Sequence, residues 1–388
     1  MTAAMVGWAH TKFGKLSGET VESLVTRVAI DAMADAGIGP EDVDEIVLGH
    51  FNAGFSPQDF TAALVLQASD KLRFKPATRV ENACATGSGA IHQGLKSIAA
   101  GEARHVLVVG VEQMTQTPGP QIGENLKKAS YLPEDGDIPA GFAGVFGQIA
   151  QSYFQRHGDQ SDALAAIAAK NHANGVKNPY AQMRKDLGFT FCRTESEKNP
   201  VVAGPLKRTD CSLVSDGAAA VVLADIPTAL GHNKAIAFRS AAHVQDFLPM
   251  SKRDIVKFEG CAHAWRQALD KARLDLRDLS FVETHDCFTI AELIEYEAMG
   301  LAPEGEGARA IEEGWTLPNG RLPVNVSGGL KSKGHPIGAT GVSMHAISAM
   351  QLAGEAGEMQ LEAPELAGIF NMGGAAVANY VSILQALK

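Results

Sequence analysis

The chain has 388 residues, of which 45% are apolar, 20% charged and 6% aromatic. At ~150 residues per domain that is room for two or three domains with substantial cores. A formal charge of −10, from 34 basic against 44 acidic residues, leaves no basic footprint for nucleic acid or anionic lipid. No uninterrupted apolar run reaches the ~18 residues of a membrane span. The first residues, Met1-Thr2-Ala3-Ala4-Met5-Val6-Gly7, lack the basic-then-apolar order of a secretory signal, and Ala386-Leu387-Lys388 is no peroxisomal address. A cytoplasmic protein with no nucleic-acid or membrane partner is expected. Five scattered cysteines (Cys84, Cys192, Cys211, Cys261 and Cys287) are the wrong arithmetic for a disulfide framework. Neither C-x-x-C nor H-E-x-x-H occurs, so no metal site is expected.

In chain order, the first clear element is a helix from Thr20 to Ala36, with Val21, Leu24, Val25, Val28, Ala29 and Ala32 at helical spacing. Thr20 can cap its start and Gly37 can end it in a left-handed turn. Pro40-Glu41-Asp42-Val43-Asp44 then leads into a short apolar strand, Ile46-Val47-Leu48. A helix feeding a buried strand points to α/β architecture. The same phrase returns 236 residues later: Ala36 to Val47 aligns without a gap onto Ala272 to Glu283, again after an amphipathic helix, Ala262 to Arg273. A further echo pairs Ser215-Asp216-Gly217-Ala218-Ala219-Ala220-Val221 with Asn371-Met372-Gly373-Gly374-Ala375-Ala376-Val377, each read as a small-residue turn entering an apolar strand. Equivalent elements in the same order imply a duplicated α/β unit. The shorter second offset locates about 80 extra residues in the first half. Prolines such as Pro118, Pro120, Pro133, Pro139, Pro179 and Pro200 between residues 116 and 208, with one good helix from Gln160 to Asn171, mark them as a loop domain covering a site. The expected division is 1–115 plus 209–230, then 116–208, then 231–388.

Cys84 lies between the strand-like Pro76-Ala77-Thr78-Arg79-Val80 and a helix whose face carries Ile91, Leu95 and Ile98. Unpaired N–H groups at a helix start favour a thiolate, and the Gly and Ala neighbours leave room for an acyl group. The alternative is a structural cysteine in a tight packing site. His335, in Gly334-His335-Pro336, also precedes a helix, marked by Met344, Ile347 and Met350. It suits a fixed general base, or a turn histidine serving local backbone. Glu283-Thr284-His285-Asp286-Cys287-Phe288 follows a strand, where α/β sites form. If the halves face each other, Cys84, His285, Cys287 and His335 converge as a nucleophile–base set rather than a metal cage. Asp286 is either an acid of that set or a cap of the next helix.

These motifs resemble the thiolase superfamily, and most closely its sterol-carrier-protein-type branch. The likeness rests on the Cys84 segment, His285-Asp286-Cys287-Phe288, Gly334-His335-Pro336 and Asn371-Met372-Gly373-Gly374. It also rests on Ser215-Asp216-Gly217-Ala218-Ala219, Lys170-Asn171-His172 and Asn178-Pro179-Tyr180. It implies two βαβαβαββ halves in a five-layered αβαβα core, assembled as a homodimer or homotetramer. Residue by residue, Cys84 would take the acyl group, His335 would activate it, and His285 would share the oxyanion hole for the thioester. The N–H groups of Cys84 and Gly373 would form a second hole, each such donor being worth ~3 kcal/mol. Common members carry an acid/base cysteine where this chain has Asn371; Cys287 is the branch's replacement. Ser212 would touch the pantetheine arm, Phe288 would line the acyl pocket, and Lys331 and Lys333 could meet phosphates at the mouth, although loop lysines are usually solvated. Cys192, Cys211 and Cys261 match no role and read as packing residues.

The expected activity is thus reversible Claisen condensation of acyl-CoA and thiolysis of 3-oxoacyl-CoA in lipid metabolism. Coenzyme A or acyl-CoA would be substrate, with no permanently bound cofactor. Two alternatives stand beside it: a decarboxylating ketoacyl-synthase-like condenser, and a partner-dependent thiolase-like protein that needs a small OB-fold subunit or performs retro-aldol cleavage. With no sterol-carrier domain after residue 388, lipid transfer by the chain itself is not expected.

Overall fold

The computed structural model describes residues 3–388. Its strands are β1 (Ala3–His10), β2 (Glu45–Gly49), β3 (Ala77–Val80), β4 (His105–Gln113), β5 (Val201–Ala203), β6 (Leu206–Lys207), β7 (Asp216–Asp225), β8 (Ile236–Gln245), β9 (Phe281–Glu283), β10 (Leu366–Gly373) and β11 (Ala378–Ala386). β5 and β6 make a separate ribbon, and the other nine hydrogen-bond in the order β3-β2-β4-β7-β1-β8-β11-β10-β9. A parallel bridge from Val282 to Val324 adds one more position beyond β9.

Read outward from the centre, each half of this sheet has the same plan. One side runs β1, β7, β4, β2, β3; the other runs β8, β11, β10, β9, Val324. The three outer positions are parallel and the two inner pairings antiparallel in both. Order and sense both repeat, so the duplication inferred from the repeated phrase is present in three dimensions. Among the described residues, the two halves of the sheet pair through Ala4↔Ala237 and Met5↔Ile236.

The repeated phrase superimposes in detail. Short 3-10 turns occupy Pro40–Asp42 and Leu276–Asp278, followed by β2 and β9. Asp42 accepts from the Gly39 N–H at 2.9 Å, and Asp278 from the Asp275 N–H at 2.7 Å. The preceding helices, Val21–Ala36 and Glu259–Ala272, both end in a left-handed residue, Gly37 (φ 69°) and Arg273 (φ 57°). Arginine there gives up about 1–2 kcal/mol of local conformational energy that glycine does not. Thr20 caps the first helix through the Ser23 N–H as its sequence predicts. The other echo is out of register: Asp216-Gly217 opens β7, whereas Asn371–Gly373 closes β10, and the turn before β11 comes after it. Small residues at both places produced the match.

Side-chain alternation on β4 shows how the layers stack. Val106 and Val108 join the core that holds Ile91 and Leu95, while Leu107 and Val109 join the one that holds Leu24 and Val28. The Val21–Ala36 helix covers the outside of the first half, and Glu259–Ala272 covers the second. Between them, helices Thr86–Ala99 and Ile337–Leu352 pack on each other. The latter touches β4 and β7 as well as β10 and β11. This gives five layers, helix–sheet–helix–sheet–helix. Every residue of Ile337–Leu352 is buried, as a helix enclosed on all sides requires. Residues 116–208 form helices Gly119–Lys127, Phe142–His157 and Ser161–Val176, besides the ribbon. Among the described residues no helix is long and apolar enough to cross a membrane.

Candidate active site

Cys84 follows β3 through a tight turn in which Ala83 is forced to φ 48°. The turn is held by Asn82 N–H to Thr86 Oγ1 (2.8 Å), Ala85 N–H to Asn82 O (3.1 Å) and Ala83 N–H to Glu81 Oε1 (2.6 Å). A non-glycine residue in the left-handed region marks a conformation that its surroundings over-determine. The helix that starts two residues later is the central one, Thr86–Ala99.

His335 approaches from the other central helix. The chain passes Val324, makes a short helix Gly329–Lys333, and reaches Gly334 at φ 113° before His335 and Ile337–Leu352. The Ser215-Asp216 motif fixes this passage. Ser215 Oγ accepts from the His335 N–H at 3.0 Å, and a Cβ at Gly334 would meet that Oγ at 2.6 Å, so only glycine fits. Asp216 accepts from the Met114 and Thr115 N–H groups, both at 2.7 Å, and from Leu16 N–H at 3.0 Å.

The segment after β9 completes the cluster. Sγ of Cys84 and a ring nitrogen each of His285 and His335 lie within 4.8 Å of one another, and the two rings meet edge to face at 5.1 Å. The Asn371 amide nitrogen lies 3.2 Å from Cys84 O and 2.8 Å from His285 Nδ1. Cys287 is buried beside Cys84, and its carbonyl accepts from the Ser212 N–H at 2.9 Å. Asp286 does not cap the following helix. Its carboxylate accepts from Leu330 N–H (2.6 Å), Lys331 N–H (3.2 Å) and the Asn171 amide (2.7 Å), tying the His285 segment to the His335 segment. Asn171 in turn holds Glu292, which pairs with Lys170 at 2.8 Å. The Lys170-Asn171 pair from the inserted region therefore supports the site from beneath.

A cavity of about 380 Å³ opens onto this cluster, lined by Cys84, Cys287, Phe288, His335 and Ser212. Its side wall is apolar and comes from the inserted region: Ile122, Leu126, Phe142 and Val202. Phe288 stacks on Phe146 at 4.4 Å. Cys211, read as packing, also lines it, whereas Cys192 and Cys261 are fully buried elsewhere. Lys331 and Lys333 are not solvated and not at the mouth. Both are buried, Lys331 donates to Cys211 O at 2.6 Å, and Lys333 faces Glu283. The short helix that carries them is covered by Ser161–Val176. The backbone N–H groups of Gly374 and of Cys84 itself face the Cys84 sulfur.

Burial decides the charge state. It pushes the Cys84 thiol up to about 12, with Glu112 and Glu81 adding to the rise and the Gly374 N–H opposing it. The thiolate expected from the helix start is outweighed by lost solvation. Burial holds His335 down to about 3 and His285 well below the usual imidazole range. Cys287 is raised well above its ordinary value by burial and by Cys84. The resting site is two thiols and two neutral imidazoles. Cys84, His285 and His335 are also donors of a kind that hold zinc. However, an amide N–H aimed at His285 Nδ1 opposes the Nδ1–H tautomer that metal binding at Nε2 requires. The donor set does not fit a metal.

Comparison with known proteins agrees with this geometry. Residues 3–226 match the family model for the thiolase N-terminal domain, and residues 241–386 match that for the thiolase C-terminal domain-like unit. An acetyl-CoA acetyltransferase of Methanothermobacter thermautotrophicus is 34% identical over 96% of both chains. Sterol carrier protein 2 of Bos taurus is 32% identical, over 95% of this chain and 69% of its own. Among solved structures, the Ltp2-ChsH2(DUF35) aldolase matches with TM-score 0.82 at 21% identity, covering 99% and 98% of the two chains. Human mitochondrial 3-ketoacyl-CoA thiolase in complex with CoA matches with TM-score 0.74 at 21% identity, covering 100% and 98%. The chain belongs to the thiolase family. It is an acyltransferase with thiolase function.

Proposed function

We propose that the chain catalyses reversible condensation of two acyl-CoA molecules to 3-oxoacyl-CoA and CoA through an acyl-Cys84 intermediate. The observation that carries this is the meeting of Cys84, His285 and His335 within 4.8 Å at one end of an apolar cavity whose wall includes Cys287. With a neutral thiol and a neutral imidazole, the Cys84 proton passes to His335 as Sγ attacks the thioester carbon. His285 donates to the oxygen that becomes negative. The carbon–sulfur bond to CoA breaks, and the CoA sulfur leaves with the proton held by His335. In the second half-reaction the Cys287 thiol passes its proton to the neutral His335, and the resulting thiolate removes the α-proton of a second acyl-CoA. The resulting carbanion attacks the acyl-Cys84 carbonyl, whose oxygen is held by the N–H of Cys84 with Gly373 or Gly374. Cys84 departs as the new carbon–carbon bond forms and takes the proton held by His335, which restores two thiols and two neutral imidazoles. Splitting one condensation into two lower barriers is the gain of covalent catalysis.

In this reading Ser212 meets the pantetheine arm and Phe288 the acyl group. Residues 116–208 act as a loop domain over the site, between an N-terminal half (1–115 with 209–230) and a C-terminal half (231–388). No resident cofactor is required. The reading extends to a cytoplasmic homodimer or homotetramer acting in lipid metabolism. A small OB-fold partner would show as dependence of turnover on a second subunit. The test is intact-protein mass after acetyl-CoA or acetoacetyl-CoA. An acetyl adduct lost in Cys84→Ala but kept in Cys287→Ala, with thiolysis lost in both, is expected. No adduct with any acyl-CoA, short or long, would refute the proposal. Turnover with malonyl-CoA but not acetyl-CoA would favour decarboxylative condensation.

A further inference from the structure

Asn371 stands where common thiolases place a cysteine, and its amide determines which atom of His285 is free. A carbonyl oxygen can only accept, so the group facing Cys84 O and His285 Nδ1 is the amide nitrogen. Turning the amide over would set Oδ1 against Cys84 O. The oxygen instead lies against Gly341, where a Cβ would meet it at 2.5 Å. An amide N–H aimed at Nδ1 makes that nitrogen an acceptor, which leaves the ring proton on Nε2. The opposite holds at His335. Its Nδ1 is 2.7 Å from Thr340 Oγ1, and Thr340 gives its own hydrogen to Pro336 O at 3.1 Å. Thr340 therefore accepts from Nδ1–H, and Nε2 of His335 carries a bare lone pair. Both Nε2 atoms are buried without a protein partner, on side chains that reach Cys84.

We propose that Asn371 and Thr340 are positioning residues that hold His285 and His335 in opposite tautomers, so that one Nε2 donates to the reacting oxygen while the other receives the Cys84 proton. This rests on the thiolase reading for its catalytic meaning, although the tautomers themselves do not. Two buried neutral rings in the same tautomer would give two bases without a donor, or two donors without a base. Asn371 thus does more than lack the thiol. It takes no proton, and it converts an imidazole into a fixed N–H donor.

The experiment is ¹⁵N NMR of [¹⁵N]histidine-labelled protein, with His285→Ala and His335→Ala to assign the rings. His285 should show an unprotonated Nδ1 and protonated Nε2, and His335 the reverse. Asn371→Asp replaces a donor by an acceptor and should move the His285 proton to Nδ1. The Cys84 acylation rate should then fall about 10²–10⁴-fold, with KM for acyl-CoA within a few-fold. Thr340→Ser should keep, and Thr340→Val lose, the His335 tautomer and the acylation rate together. The same tautomer on both rings, or an unchanged His285 spectrum in Asn371→Asp, would overturn the proposal. So would equal rates in Thr340→Ser and Thr340→Val. If Asn371→Asp does not fold, the wild-type spectrum and the Thr340 pair still decide it. Correct tautomers with no acyl adduct would instead count against the thiolase reading alone.

Discussion

Gly87, three residues after Cys84, packs directly against the backbone of the other central helix. A Cβ on it would stand 2.7 Å from the backbone N of both Gly341 and Val342 and 2.9 Å from Gly341 Cα, against 3.4 Å for ordinary contact. These are backbone atoms, so no side chain can swing aside, and Gly87→Ala must move one helix by about 0.7 Å. Two effects oppose each other in stability. Alanine gains about 1 kcal/mol of helix propensity over glycine, and overpacking a filled core costs about 1–3 kcal/mol. The net loss should be at most about 2 kcal/mol, so the variant folds. Catalysis has no such compensation. The helix on one side carries Cys84 and the other carries His335, and misplacing reacting groups by ~1 Å costs about 10²-fold. Gly87→Ala is therefore expected to cut the single-turnover acylation rate ten- to a hundredfold, read by quenched-flow mass spectrometry, with a thermal midpoint only a few degrees lower. An unchanged rate with a raised midpoint would refute the reasoning, because it would mean the helices have room for a methyl group.

Other perturbations should behave as follows. Because burial holds His335 down to about 3 and Cys84 up to about 12, the working forms, neutral imidazole and thiol, persist across the neutral range. The acylation rate should be flat from about pH 5 to pH 9. A step between pH 6 and 8 that disappears in His335→Gln would contradict the neutral pair. Iodoacetamide labelling of Cys84 should climb with pH without levelling below about 10. Lys170→Met strips Glu292, Val324 O and the Asn171 side chain of a shared donor. Removing one partner of a buried pair costs about 3–5 kcal/mol, measurable by denaturant unfolding, and a loss under 1 kcal/mol would show that the pair is solvated. Leu126→Trp fills part of the cavity wall and should lower kcat/KM for long acyl-CoA at least tenfold while sparing acetyl-CoA. Equal loss on both would place the acyl chain elsewhere.

Local signals carried much of this architecture into the sequence. The Thr20 cap, the Gly37 stop and the phrase repeated at 236 residues mark helix, turn and strand in both halves, because caps and periodicity are properties of neighbouring residues. The meeting of Cys84, His285, Cys287 and His335 was also legible, since each follows a strand or precedes a helix that the apolar pattern reveals. What stayed hidden depends on enclosure. Lys331 and Lys333 read as solvated loop lysines until the Ser161–Val176 helix, more than 150 residues away in sequence, is laid over them. The thiolate expected at Cys84 fails for the same reason, because local dipoles are visible in sequence and desolvation is not. The partners of Asn371 lie 86 and 287 residues away, a separation no spacing rule spans.

The two-sided plan of the sheet has a mechanical consequence. Equivalent elements that touch each other must do so close to the axis relating the halves, and the two central helices meet in this way. A rotation about that axis leaves points on it at rest, as the neutral line of a bent beam keeps its length. Cys84 and His335 directly precede these two helices, so a rotation of one half against the other about that axis would displace them less than the outer helices and sheet edges.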